Sequence, residues 1–213
     1  MTATAQVQSR SLGSGGVFIE HATLSEADLV WLIGVERLVL WNVSVPSDFL
    51  GRLPSLWWID WRGGSVKQGI SHIQSCQKLR YLALNQIRGL SELSFIQSLT
   101  ALEMINFYGL PKLSSLPSMS KFSKLRRAQL GQMKSLPSIG PVLAAPKLQE
   151  LVLHNHVRVS PDDVQTMRDH PHLSAFEWFG ENIPVKMWEP VRKAVGLPLA
   201  KAIHPEEWFR LPQ

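Results

Sequence analysis

The sequence predicts an α/β solenoid: stacked strand-and-turn repeats closed by a helical cap at the C-terminal end. Three observations predict it. Thirty of the 213 residues are leucine. A block of the form apolar-x-x-apolar-x-apolar recurs about every 23 residues. Between blocks, a second set of apolar residues recurs at spacing three.

The blocks run Val35–Leu40, Leu56–Trp61, Leu79–Leu84, Leu102–Phe107, Leu125–Leu130, Leu148–Leu153 and Leu173–Trp178, with a degenerate copy at Ser14–Ile19. From 35 onward their starts step by 21, 23, 23, 23, 23 and 25 residues. The apolar-x-apolar ending of each block has period 2, the mark of a short strand with one buried face. The following sets, such as Ile87/Leu90/Leu93, Leu110/Leu113/Leu116 and Met133/Leu136/Ile139, fit a 3₁₀-like coil turning back over the core. One such unit cannot bury its own apolar edge, but a stack can.

The ends are read from capping chemistry. Residues 1–13 carry no pattern and are expected to be a flexible segment. Ser25–Ile33 reads as a helical turn with Ser25 as N-cap and Glu26 and Asp28 in the first turn. Ser160-Pro161-Asp162-Asp163 opens a helix, with proline in first position. Val185–Val195 reads as a capping helix stopping at Gly196, and the tail through His204–Phe209 is expected to pack back on that cap. The predicted organisation is 1–13 flexible, 14–180 solenoid of about eight repeats, and 181–213 cap and tail.

Over residues 14–180 the L-x-x-L-x-L core, most regular in Leu79–Leu84 and Leu148–Leu153, resembles the leucine-rich repeat family. The stretch Leu125–Ile139 looks especially like the irregular repeats of plant-type and bacterial intracellular members. The resemblance implies a parallel β-sheet on a concave face and an irregular 3₁₀/helical convex side. The chain departs from the family at the position three residues after the last strand leucine, where an asparagine or cysteine is usual. Here those positions hold Ala22, Val43, Gly64, Ile87, Leu110, Met133 and His156.

The same resemblance implies that the intervening strand positions face outward on the concave side. Their charges are Arg37, Arg62, Arg80, Arg126 and Arg127 against Glu20, Glu36, Asp60, Glu103, Glu150 and Glu177. That face is near neutral, so the chain's net charge of +5 comes from the convex side, the loops and the tail. A duplex-binding face would want a positive stripe, which argues against nucleic acid there. Arg37, Trp41, Trp58, Arg62, Tyr81, Met104 and Tyr108 instead form one aromatic and arginine patch across neighbouring strands. Trp, Tyr and Arg are enriched at binding hot spots, so the patch is the expected contact surface for a protein partner. On that reading Trp58→Ala weakens binding by about 2 kcal/mol and leaves the fold intact. The alternative is a patch covered by the N-terminal segment or a long loop of the same chain. Trp61 and Trp178 fall in a core column.

The remaining chemistry is sparse. His154-x-His156 and His170-x-His172 have pair spacing, but neither has a third ligand nearby, so no metal is expected. Cys76 is a lone cysteine in an apolar-periodic stretch, read as a small hydrophobe. No P-loop, G-x-G-x-x-G or G-x-S-x-G motif occurs, and no catalytic residue or cofactor is expected. With no secretory signal and no apolar run of about 18 residues, the expected setting is the cytoplasm. The expected function is non-enzymatic protein–protein interaction: an adaptor, a complex subunit or an immunity-type inhibitor. The alternative is nucleic-acid or anionic-surface binding through a basic convex side and tail, with Lys112, Lys121, Lys124, Arg126, Arg127, Lys134 and Lys147 as candidates.

Overall fold

The computed structural model describes residues 5–211. Among the described residues, nine strands form one sheet in chain order. They are β1 (Ser9–Gly13), β2 (Gly16–Glu20), β3 (Arg37–Trp41), β4 (Trp58–Arg62), β5 (Tyr81–Asn85), β6 (Met104–Tyr108), β7 (Arg127–Met133), β8 (Glu150–Val157) and β9 (Ala175–Phe179). From β2 onward every pairing is parallel and joins equivalent places of successive blocks, as in Leu82↔Ile105 and Leu84↔Phe107. The sequence period is therefore the register of the sheet.

The core side of each strand and the returning segments are fully buried together. Leu82, Leu84, Ile105, Phe107, Leu110 and Leu113 all have no exposure. Short 3₁₀ turns, such as Ile70–Ser75 and Ser94–Ser98, carry the returns. Trp61 and Trp178 lie in this core. Truncating one such core side chain to alanine costs about 2–5 kcal/mol.

The turn out of each strand solves the problem posed by the missing asparagines. Two residues after the last core residue of β2 to β8 stand His21, Asn42, Gly63, Gln86, Gly109, Gln132 and Asn155, and all seven have φ between +49° and +67°. This left-handed residue turns the chain inward. Its N–H donates to the carbonyl ending the next strand: Asn42 to Arg62 at 2.8 Å, Gly63 to Asn85 at 2.7 Å and Gln86 to Tyr108 at 2.9 Å. A ladder of backbone bonds thus stands in for a side-chain ladder. The following position is free to be apolar, and Val43, Ile87, Leu110 and Met133 are buried there.

Helices are few. α1 (Leu29–Leu32) follows a 3₁₀ turn capped by Ser25. α2 (Gly140–Leu143) sits in one return. α3 (Pro161–Asp169) starts at a capping box in which Ser160 Oγ accepts from the Asp163 N–H at 3.1 Å. α4 (Val185–Val195) ends at Gly196 with φ +70°. α5 (Pro205–Trp208) lies in the tail.

Two expectations are corrected. Residues 9–13 are not a loose arm. They form β1, the sheet's one antiparallel edge, paired with β2. Residues 1–4 lie outside the described residues. The tail does not pack back on the cap. After α4 it joins the edge of the sheet, where the Phe176 N–H donates to the Pro198 carbonyl at 2.9 Å and the Ala200 N–H to the Phe176 carbonyl at 3.3 Å. It then crosses the outer face of the sheet as a strap.

Candidate functional site

The parallel register sorts the outward side chains into three rows. The first is Arg37, Trp58, Tyr81, Met104, Arg127 and Glu150; the second Val39, Asp60, Ala83, Asn106, Gln129 and Val152; the third Trp41, Arg62, Asn85, Tyr108, Gly131 and His154.

The first row is where the strap lands. Trp208, the first-row residues Trp58, Tyr81 and Met104, and Ala83 of the second row form a second apolar cluster, separate from the main core. The Phe209 ring stands 5.2 Å from Trp57, 5.7 Å from Trp58 and 6.2 Å from Tyr81. Trp58, Tyr81 and Met104 are consequently buried, at 3%, 2% and 0% exposure. The expectation that these three present an open contact surface is corrected: period 2 puts them on the outer side, but the chain's own C-terminal segment covers them. Burial pushes the Tyr81 phenol well above its ordinary pKa, and the Asp60 charge adds to the rise.

Cations frame this cluster. Arg80 and Arg126 both grip Glu103, at 2.7 Å and 3.0 Å. Burial works to raise the Glu103 pKa, but the two guanidiniums outweigh it and hold the carboxyl below its usual range. The clamp also poises the arginines over the strap. Arg80 lies 5.3 Å from the Phe209 ring centre and Arg126 lies 5.4 Å from that of Trp208, within cation–π range. Arg127 is fully buried; its Nη2 donates to the Lys201 carbonyl at 2.7 Å and its Nη1 pairs with Glu150. Burial lowers its pKa to about 10.

The other four patch residues remain accessible. Trp41 is 47% exposed, with its indole lying against Gly63 and 5.9 Å from the His21 ring. Arg62 grips Asp60 through Nε and Nη2, at 3.0 Å and 2.5 Å to Oδ2. Arg37 donates to the Gly13 carbonyl at 3.1 Å. Tyr108 is half-buried beside Gly131, where a Cβ would meet its ring. The patch is thus divided into an open edge and a covered centre. The second row was overlooked by the sequence reading. Its small and polar residues leave a cavity of about 300 Å³ between sheet and strap, lined by Asp60, Arg62, Asn85, Asn106, His204 and Glu206 among others.

Elsewhere the reactive residue types are engaged structurally. Burial pushes the Cys76 thiol up to about 12. His154 stacks on Phe179 at 5.2 Å, and the His170 ring bonds the Ala145 carbonyl at 3.0 Å. Among the described residues, no group of three His, Cys, Asp or Glu is placed to hold a metal ion, and no helix is long and apolar enough to cross a membrane. Of the basic candidates, Lys112, Lys121, Lys124, Lys134 and Lys147 are exposed on the returns. Arg126 and Arg127 are not part of that group; both lie at the start of β7, tied to Glu103 and Glu150.

The chain matches no protein-family model, and no curated protein is similar to it in sequence. Among solved structures it is similar to an internalin C2 from Listeria monocytogenes, at 18% identity over 76% of this chain and 80% of that one, with a TM-score of 0.45.

Proposed function

We propose that this chain is a non-enzymatic protein–protein interaction scaffold working in the cytoplasm, an adaptor, complex subunit or immunity-type inhibitor. It holds a protein partner on the outer, concave face of its sheet. The observation that carries this reading is the exposed indole of Trp41, 47% open and seated against Gly63. It shares its face with Arg37, Arg62 and Tyr108. A large apolar ring held at the surface, with Arg62 beside it on the next strand, has the make-up of a binding anchor. In this reading Arg37, Trp41, Arg62 and Tyr108 make first contact, and Trp58, Tyr81 and Met104 support them from beneath the strap.

The test is affinity capture from native-host lysate at low and high salt, with wild type beside Trp41→Ala. A defined protein retained at both salts and lost at least tenfold with Trp41→Ala is the expected result. Nucleic acid captured at low salt alone, unaffected by Trp41→Ala, would overturn it. That outcome would move the function to the five exposed lysines of the returns, because phosphate contacts are lost steeply as salt rises.

A further inference from the structure

We infer that the covered centre of the outer face is a receptor groove for a short peptide segment that presents an adjacent aromatic pair, preceded by acidic residues, on one helical turn, and that the chain's own strap is the resident competitor. The inference deepens the scaffold reading and rests on it.

The strap displays the chemistry of the occupant. Its sequence is His204-Pro-Glu-Glu-Trp-Phe-Arg210. The aromatic pair fills the apolar centre formed by Trp58, Tyr81, Ala83 and Met104. Arg80 and Arg126 lie over the two rings, fixed there by Glu103. Glu206 lines the same cavity as Arg62, and its charge favours the arginine cation. An aromatic pair therefore finds both an apolar floor and cation–π partners, and an acidic residue before it finds a guanidinium. A segment without the aromatic pair would lose the cation–π contacts from Arg80 and Arg126, and one without the acid would lose the favourable charge that Glu206 adds to that of Asp60 at Arg62.

The strap is also held like a ligand. Arg127 takes the Lys201 carbonyl and so ties the start of the strap to the sheet. Beyond it the strap makes backbone bonds of its own, Trp208 N–H to the His204 carbonyl at 3.0 Å and Phe209 N–H to the Pro205 carbonyl at 3.1 Å. Open clefts of about 300, 280 and 210 Å³ flank the strap where it crosses the sheet. It meets the groove's apolar centre through Ile203, Trp208 and Phe209 and leaves the flanks open. A longer segment from a partner can use the same anchor points and add contacts in those flanks. The strap's closed state lowers the partner's apparent affinity by the fraction of time the groove is open.

The experiment uses the full chain and a labelled synthetic peptide of residues 201–211. Wild type, a Trp208→Ala/Phe209→Ala variant, and that variant carrying Tyr81→Ala are compared by fluorescence anisotropy, with circular dichroism as the folding control. The loosened variant is expected to bind the peptide at least tenfold tighter than wild type. Replacing both peptide glutamates by glutamine, or adding Tyr81→Ala, should remove most of the gain. A folded variant that binds no better than wild type overturns the inference, as does a strap-exchanged dimer formed in place of peptide binding. Should the variant not fold, hydrogen exchange on wild type decides. The amides of α5 are expected to exchange faster than those of the strands and to lose protection when excess unlabelled peptide is added, with α4 unchanged. Protection equal to that of the strands and indifferent to peptide overturns it. Partner capture that depends on Trp41 in the absence of peptide binding would sink this inference alone. Peptide binding without any partner capture would sink the scaffold reading alone.

Discussion

The Trp58 and Tyr81 rings lie 3.9 Å apart, centre to centre, at 33° to one another. They occupy equivalent places on adjacent parallel strands, so the stack is a direct product of the repeat register. The strap closes over both. Trp58 is therefore a core residue of a small second cluster, and Trp58→Ala should destabilise the protein by about 3 kcal/mol through cavity formation. Urea unfolding at neutral pH measures this. A change under 0.5 kcal/mol would mean that the strap does not cover the ring in solution.

Arg127 offers a sharper comparison. Its buried guanidinium serves both Glu150 and the Lys201 carbonyl. Arg127→Ala leaves a carboxylate and a carbonyl without their donor and should cost about 3 kcal/mol. Arg127→Met loses the same donor but fills most of the space, so it should cost less than alanine by the cavity it avoids. Denaturant midpoints of the two variants check the order, and a methionine variant as damaged as the alanine one would contradict it.

At the strand exits, Gly63→Ala should destabilise by about 1 kcal/mol, because its φ of +64° is costly for any residue with a Cβ. The new methyl would also meet the Trp41 ring 3.2 Å away. Gln86→Gly relieves the same cost at φ +55° and should leave stability unchanged or raised. Thermal melts of the pair read the difference, and a shift of indole emission in Gly63→Ala reads the displacement of Trp41.

His154 gives a pH dependence with a definite sign. Burial lowers its pKa from 6.5; Glu181 opposes the change and Arg127 adds to it. Below pH 6.5 the unfolded chain takes up a proton that the folded chain does not. This group's contribution is therefore full above pH 6.5 and declines as the pH falls toward the folded pKa. The imidazole proton resonances should titrate with a midpoint below 6.5, and His154→Phe should remove that part of the acid slope. A midpoint above 6.5 would contradict the assignment.

The solenoid was legible because a period of 21 to 25 residues is a long-range signal that local noise does not erase. α3 and α4 were legible from Ser160-Pro161 and Gly196, whose capping effects act within one helical turn. The covering of Trp58, Tyr81 and Met104 was not legible. Period 2 decides which side of a sheet a residue takes, but not what lies across that side. The bond from Arg127 to Lys201 spans 74 residues, and no local pattern encodes it. One signal was available: Trp208-Phe209 is an aromatic pair beyond the last repeat, with no repeat core of its own to enter. β1 was missed because Ser9–Gly13 carries no apolar alternation, being held by its pairing with β2.

In an open stack each repeat senses only its immediate neighbours, and the two ends fray independently. The strap changes that connectivity. It leaves the sheet at β9 and comes to rest over β4 to β6, where Trp208 packs with Trp58, Tyr81 and Met104. The line of repeats gains a tie from its last layer to its middle, so loss of the last layer also uncovers the middle ones. Melting that begins at the C-terminal end should then be felt at β4 to β6, as a belt slackens along its length once its buckle opens.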